Sequence, residues 1–278
     1  MTARILNCSP GDYYRDPCAV PSLSQSIAHT LVTQSPLHAW SEHPRLGNQR
    51  KPASKAMDVG SLIHKLVLGK GVDVEIVQAD NYRTKIAQEQ RDRAIEQHRV
   101  PILAKDWDEL ATAADKIKFN LRQCGVEMMG ESEVMVEWDE EGSRGPVVCR
   151  GMMDHVLIDS GVILDLKKCE SAHPNACSRA MMNYSYPIQQ AAYSSALAHL
   201  REGLAGAIDF VFLFVEVEPP FAVFAGRPDG VLRELGERQW SFAVRRWEEC
   251  LATNVWPGYG SEIGTIDAPA WALNGVSV

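Results

Sequence analysis

Three β-rich segments in the middle of the chain constrain its fold more than any other feature. Residues 134–138, 147–158 and 162–167 are rich in β-branched and apolar side chains, and the turns that separate them contain Gly142 and Gly161. This spacing is typical of strands joined as antiparallel hairpins. The chain is therefore predicted to contain a β-sheet built around these segments.

Segments with the apolar spacing of helices lie on both sides of these strands. A stretch that opens at Ser22 and runs toward Trp40 has this spacing, whereas residues 36–52 carry Pro and His and are predicted as a loop. The remaining predicted elements are helices over 56–68, 83–98, 104–124, 187–201 and 229–252, and strands over 210–217 and 221–225. We predict an α/β fold with a mixed central β-sheet flanked by helices and a helical N-terminal region.

Composition narrows the class of protein. The 278 residues are 45% hydrophobic and 23% charged, and the longest apolar stretch, 210–215, is far below the length needed to span a bilayer. The first residues lack a signal-peptide pattern, and seven scattered cysteines indicate reduced thiols, so a cytoplasmic protein with no membrane association is expected. The net charge of −8 argues against non-specific nucleic-acid binding over the whole surface, but the six basic residues within 37–70 leave room for a local basic wall.

The second hairpin brings together an unusual set of side chains. Strand alternation places Asp165 and Lys167 on one face and points Leu166 into the core, while the hairpin brings Asp154 across from Asp165. Two buried carboxylates repel each other unless a cation lies between them. Oxygen ligands favour Mg²⁺ or Mn²⁺ over Zn²⁺, and the lysine could position or deprotonate an attacking water.

Two helices add candidate side chains. Gln189 and Tyr193 lie one turn apart and so share a face, and His64 lies in the predicted helix 56–68. Each has a structural alternative, because Tyr193 can pack in the core, His64 can be a buried core histidine, and an acid-x-Lys pair on a strand is commonly a solvated ion pair.

Taken in order, these motifs resemble the PD-(D/E)XK nuclease superfamily, and within it the phage and prophage exodeoxyribonuclease VIII group. The resemblance covers about residues 22–252, with Met153 in place of the proline that names the superfamily. It rests on the motifs Gly60-x-x-x-His64, Gly151-x-x-Asp154, Asp165-x-Lys167 and Gln189-x-x-x-Tyr193, supported by segments 23–26, 35–38 and 212–221.

The resemblance implies a role for each of these residues. Asp154 and Asp165 would bind the metal, together with the Leu166 carbonyl and His64. Lys167 would be the catalytic lysine. Gln189 and Tyr193 would contact DNA or steady the site, and Glu133 is a weaker candidate for a second metal position.

The resemblance further implies a restriction-endonuclease-like core and a Mg²⁺-dependent exodeoxyribonuclease, with Mn²⁺ able to substitute. It would digest linear double-stranded DNA from 5′ to 3′ and leave 3′ single strands for phage-type recombination. The expected partners are DNA ends, a single-strand annealing protein and further copies of the chain in a ring. One nuclease domain over 1–278 is expected, with a helical part over about 1–125 and the catalytic sheet and helices over about 130–252.

Three alternatives remain open at this stage. The chain could be an endonuclease or single-strand nuclease of the same fold, or a non-catalytic module that binds DNA ends. It could also be a soluble α/β protein whose strand acids are merely ion-paired.

Overall fold

A seven-stranded sheet forms the centre of the computed structural model, which describes residues 3–49, 55–97, 99–201, 203–204, 206–260 and 262–268. The strands are β1 (Ala3–Ile5), β2 (Leu23–Ser24), β3 (Val74–Val77), β4 (Val100–Leu103), β5 (Glu131–Glu141), β6 (Pro146–Leu157), β7 (Val162–Cys169), β8 (Asp209–Glu216) and β9 (Val223–Gly226). The helices are α1 (Pro10–Tyr14), α2 (Gln25–Thr33), α3 (Pro36–Glu42), α4 (Lys55–Leu68), α5 (Lys85–Glu96), α6 (Ala104–Gln123), α7 (Pro174–Asn183), α8 (Tyr186–Leu200) and α9 (Gly230–Thr253).

The sheet is mostly antiparallel. Its order is β1-β5-β6-β7-β8-β9, and β2 pairs with β6 in parallel. Strands β7 and β8 are also parallel, which requires a crossover connection, and α7 and α8 supply it. Strands β3 and β4 form a separate two-stranded parallel sheet.

Helices cover both faces of the large sheet. The first core lies between one face and helices α2, α8 and α9, and includes Trp138, Phe212 and Trp247. The second core lies between the other face and helices α4 and α6, and includes Leu166 and Leu213. Strand β8 is covered on both sides, which explains why residues 210–215 are all apolar, with the charged Asp209 and Glu216 only at its ends.

The predicted fold class is confirmed, while some of the predicted elements need correction. The loop predicted over 36–52 is wrong in its first part, because α3 begins at Pro36. The Ser35 hydroxyl accepts a hydrogen bond from the His38 backbone N–H, and proline is favoured in the first turn of a helix. Positions 50–52 of that predicted loop lie outside the described residues, as does position 98 of the predicted helix 83–98. Among the helices that the structure describes, none combines the length and apolarity needed to cross a membrane.

Candidate active site

Strand β5 changes faces at Glu133. This residue has a left-handed backbone with φ of 52°, an uncommon conformation for a residue other than glycine. After it, Val134 packs into the first core. Before it, the Ser132 hydroxyl points the other way, donating to the Leu68 carbonyl at the end of α4 (2.8 Å) and lying 2.9 Å from His155 Nδ1. The strand is therefore distorted where it passes the predicted site.

Asp154 lies opposite this distortion, because the register of β5 and β6 places it across from Glu133. Its Oδ2 accepts a hydrogen bond from the Leu166 backbone N–H at 2.9 Å and lies 3.7 Å from His64 Nδ1. Nε2 of His64 donates to the Leu166 carbonyl at 2.8 Å. One helix and two strands thus bring an imidazole, a carboxylate and a backbone carbonyl together.

Asp165, Lys167 and Gln189 form a second group beside the first. The Lys167 ammonium lies 2.5 Å from Asp165 Oδ1, while Gln189 Nε2 donates to Asp165 Oδ2, also at 2.5 Å. The triangle closes because Lys167 Nζ donates to Gln189 Oε1 at 2.9 Å. The ammonium also lies 4.7 Å from the centre of the Tyr186 ring, within the range of a cation–π contact.

The charged groups of the site shift one another's pKa values. Burial raises the pKa of Asp165 to about 6; Lys167 opposes this rise and the charge of Asp154 adds to it. Burial lowers the pKa of Lys167, but the negative charges of Asp165 and Asp154 outweigh it and the net shift is upward. Burial and the Asp154 charge also raise the pKa of Glu133. Three carboxyl groups in this small volume favour the approach of positive charge.

The donor set fits a divalent cation that prefers oxygen ligands. The carboxylates of Asp154 and Asp165, the Leu166 carbonyl and the His64 imidazole are the types of group that bind such an ion. No three His, Cys, Asp or Glu side chains in the described ranges already form a group that could hold one. Both Asp165 oxygens face Lys167 or Gln189, so its coordination of an ion requires it to exchange one of these partners.

Residues 27–269 match the model of one protein family, the PDDEXK-like domain of unknown function (DUF3799). This chain belongs to that family. The match spans most of the chain, and it confirms the PD-(D/E)XK assignment made from the motif order.

One solved structure shares the overall fold of this chain. A protein from Eubacterium rectale, solved under the name "Putative exonuclease", shares 13% sequence identity with a TM-score of 0.61, over 97% of this chain and 99% of that one. A phage related exonuclease from Haemophilus somnus also has 13% identity, over 84% of this chain and 96% of that one, but its TM-score of 0.36 is too low to support a shared fold. None of the curated proteins matches the chain.

Within this PDDEXK-like chain, Tyr193 takes a different place from the other predicted residues. It is buried in the first core, and a Cβ added at Gly151 would lie only 2.8 Å from its ring. The structure therefore groups His64, Asp154, Asp165, Lys167 and Gln189, with Tyr193 packed behind Gln189 on the same helix. Of the two expected roles of Tyr193, steadying the site is the one that this position supports.

The sequence interpretation missed Tyr186. This residue begins α8 and places its ring beside Lys167. A three-residue spacing puts Tyr186 on the same helix face as Gln189, so the helical periodicity that singled out Gln189 also pointed to Tyr186.

Proposed function

We propose that this chain is a divalent-metal-dependent nuclease that hydrolyses phosphodiester bonds in DNA. The observation that carries the proposal is the meeting of Asp154 and Asp165 with the buried ammonium of Lys167 at a distorted point of the sheet. Membership of the PDDEXK-like family supports it. Because the donors are mainly oxygens, Mg²⁺ is the proposed ion, with Mn²⁺ as a substitute.

The four donors described above, from Asp154, Asp165, Leu166 and His64, would hold this ion. When bound, it would polarise the scissile phosphate and lower the pKa of a coordinated water. Lys167 contributes positive charge and N–H donors where negative charge grows in the transition state. Its raised pKa favours this role over that of a base.

Gln189 has an orienting role in this proposal. Its amide donates to Asp165 through Nε2 and accepts from Lys167 through Oε1, so one side chain fixes both charged groups. The charges of Lys65 and Lys70 oppose the rise in the Glu133 pKa, so both lie near that carboxyl group. They would present a local positive surface to the incoming phosphate backbone.

The proposed substrate is the end of a linear DNA duplex, digested from 5′ to 3′ to leave a 3′ single strand. The order of motifs supports this, and so does the exonuclease name of the Eubacterium rectale protein. The single strand would then pass to an annealing protein in phage-type recombination. A ring of several copies would keep the duplex threaded and set a basic channel inside an acidic exterior.

The test uses linear 5′-phosphorylated duplex and closed circular DNA, each with Mg²⁺ or with EDTA. Loss of the linear DNA alone, dependent on Mg²⁺ and abolished in an Asp165→Asn variant, is the expected result. Asp159→Asn is the matched control, because that turn carboxylate is 89% exposed and pairs only with the exposed Arg201 among the contacts described. Cutting of the circle would instead establish an endonuclease. No cutting of either DNA would overturn the proposal.

A further inference from the structure

Three stacked aromatic rings lead from the first core to the solvent beside the candidate site. Phe212 is buried in the core, and Tyr186 stacks on it with ring centres 5.7 Å apart and an interplanar angle of 24°. Tyr184 stacks in turn on Tyr186, at 5.5 Å and 24°. Tyr184 is 65% exposed, so the last ring of the stack presents its surface to solvent.

The stack runs past the charged groups of the site. Lys167 Nζ lies over the ring of Tyr186, the middle member. The Tyr184 ring lies 5.5 Å from the Tyr186 ring, which in turn lies 4.7 Å from the proposed catalytic ammonium, so the ring and the ammonium are close enough to contact neighbouring parts of one strand.

The backbone between the two tyrosines is strained. Ser185 has φ of 51° and ψ of 40°, and its side chain makes no capping hydrogen bond to the helix that follows. A left-handed backbone is unfavourable for a residue other than glycine, and such strain is concentrated at functional sites. Here the strained residue lies between the end of α7 and the start of α8, and it separates the two tyrosines whose rings stack.

We propose that the exposed ring of Tyr184 stacks on a nucleobase of the strand being cut, adjacent to the scissile phosphate. The inference rests on the proposed nuclease function and names how that site holds its substrate. Within a duplex, neighbouring bases cover both faces of each base, so the base on Tyr184 is a terminal or unpaired one. Every base has a π-face, so this contact is independent of sequence.

The first test compares cutting of a linear duplex by the wild type, Tyr184→Ala and Tyr184→Phe. Tyr184→Ala is expected to lower kcat/KM by about 10- to 100-fold, which corresponds to the loss of one base–aromatic stack. Tyr184→Phe keeps the ring and is expected to retain the wild-type value. Tyr259→Ala is the control, because that tyrosine is 78% exposed and contacts His38 instead of the stack.

The second test observes the base directly. The fluorescent base 2-aminopurine is placed in turn at the last three positions of either strand of a linear duplex, which is mixed with the Asp165→Asn protein so that it is not cut. Stacking on an aromatic ring quenches this fluorophore. We expect quenching at one position near an end. The quenching should persist in the double variant Asp165→Asn with Tyr184→Phe, and it should be lost in the double variant Asp165→Asn with Tyr184→Ala.

The outcomes separate this inference from the proposed function. If wild type and Tyr184→Ala cut linear DNA equally well, the stacking inference is overturned and the nuclease function stands. Loss of activity in Tyr184→Phe as well as in Tyr184→Ala also overturns it, because the ring alone is then insufficient. A wild-type protein that neither cuts nor binds DNA overturns both. Thermal unfolding of each variant checks that the exposed substitution leaves the fold intact.

Discussion

Two aspartates with fully buried side chains, Asp16 and Asp165, lie in opposite electrostatic environments. Asp16 accepts hydrogen bonds from the Ser22 backbone N–H (2.9 Å) and hydroxyl (2.7 Å), and lies 3.3 Å from His43 and 3.4 Å from Arg150. Asp165 has Lys167 and Gln189 as its described side-chain partners.

The pKa values of the two carboxyl groups shift in opposite directions. For Asp16, burial raises the pKa, but His43, Arg150 and the Ser22 hydrogen bonds outweigh it and lower the value to about 2. For Asp165, burial prevails and raises the pKa to about 6. Partners that lower the pKa of a buried carboxyl favour the fold with that group ionised, whereas a buried carboxyl with fewer partners remains available to a ligand. The first arrangement is structural, and the second is typical of a functional site.

The largest expected effect is that of Asp165→Asn on activity. Cutting of linear duplex is expected to fall roughly 1,000-fold, because the substitution removes a negatively charged group that is proposed to bind the metal ion. The free energy of unfolding is expected to change less than in Asp16→Asn, since burial already disfavours the Asp165 charge. Rates and urea denaturation, measured on the same preparation, check both expectations. If the Asp165→Asn protein cut DNA at the wild-type rate, Asp165 would have no catalytic role and the contrast with Asp16 would not hold.

Asp16→Asn is expected to show the reverse pattern. Stability is expected to fall by about 3–5 kcal/mol, because Arg150 keeps its buried charge and loses its carboxylate. Cutting per folded molecule is expected to stay at the wild-type rate. Urea denaturation measures the loss, with exposed Asp159→Asn as the control. If the wild type and Asp16→Asn were equally stable, the contacts of Asp16 with His43 and Arg150 would not stabilise the fold.

Gln189→Ala tests whether the orientation of the Asp165 and Lys167 pair matters. We expect a rate about 10- to 100-fold lower, the usual cost of losing a group that orients reacting side chains. Gln190→Ala is the matched control, because this neighbouring amide is also buried but donates to Ser194 at 3.1 Å. The same loss in both variants would indicate damage to the helix.

Acidification should remove the stabilising effect of the Asp16 charge. The folded pKa of about 2 lies below the ordinary 3.8, so the unfolded chain binds the proton more readily. The stabilisation of about 2 kcal/mol is therefore complete above about pH 4 and is lost as the pH falls through about 2. The stability difference between wild type and Asp16→Asn, measured in urea at each pH, should narrow over that window. A constant difference would exclude the charge as its cause.

Tyr193→Phe is expected to have the smallest effect. The tyrosine lies behind Gln189, against Gly151, and hydrogen-bonds to the backbone of Met152. Removing the hydroxyl should cost about 1 kcal/mol of stability and change the cutting rate by less than about threefold. A much larger fall in rate at unchanged stability would assign the hydroxyl a direct part in the reaction.

Much of the candidate site follows from local sequence rules. Strand alternation placed Asp165 and Lys167 on one face and Leu166 in the opposite core, as the structure shows. The motif order predicted that His64 and Gln189 would join them, and the structure brings both to the same place. These residues lie in regular elements, where the period of the chain fixes the direction of each side chain.

The remaining features depend on contacts between distant parts of the chain. The cluster of Asp16, His43 and Arg150 unites three segments, and none of these residues belongs to a recognisable motif. The left-handed conformation of Glu133 also has no sequence signature, because it occurs at a residue that ordinarily avoids it. Helix α3 is different, since Ser35 and Pro36 form a recognisable helix start that the loop interpretation overlooked.

The change of face at Glu133 also limits where the length of the hairpin formed by β5 and β6 can change. Side chains alternate between the two faces of a strand. Inserting or deleting one residue on either side of Glu133 would therefore move the side chains of that part of the hairpin to the opposite face of the sheet. The stretch between Glu133 and the hairpin tip therefore acts as a spacer of fixed length. At the tip, a longer loop would disturb the hydrogen bonds that the backbone N–H groups of Ser143 and Arg144 donate to Glu248. Length differences among homologues are still expected mainly at that tip, because losing two exposed hydrogen bonds there costs less than reversing the faces of the strand.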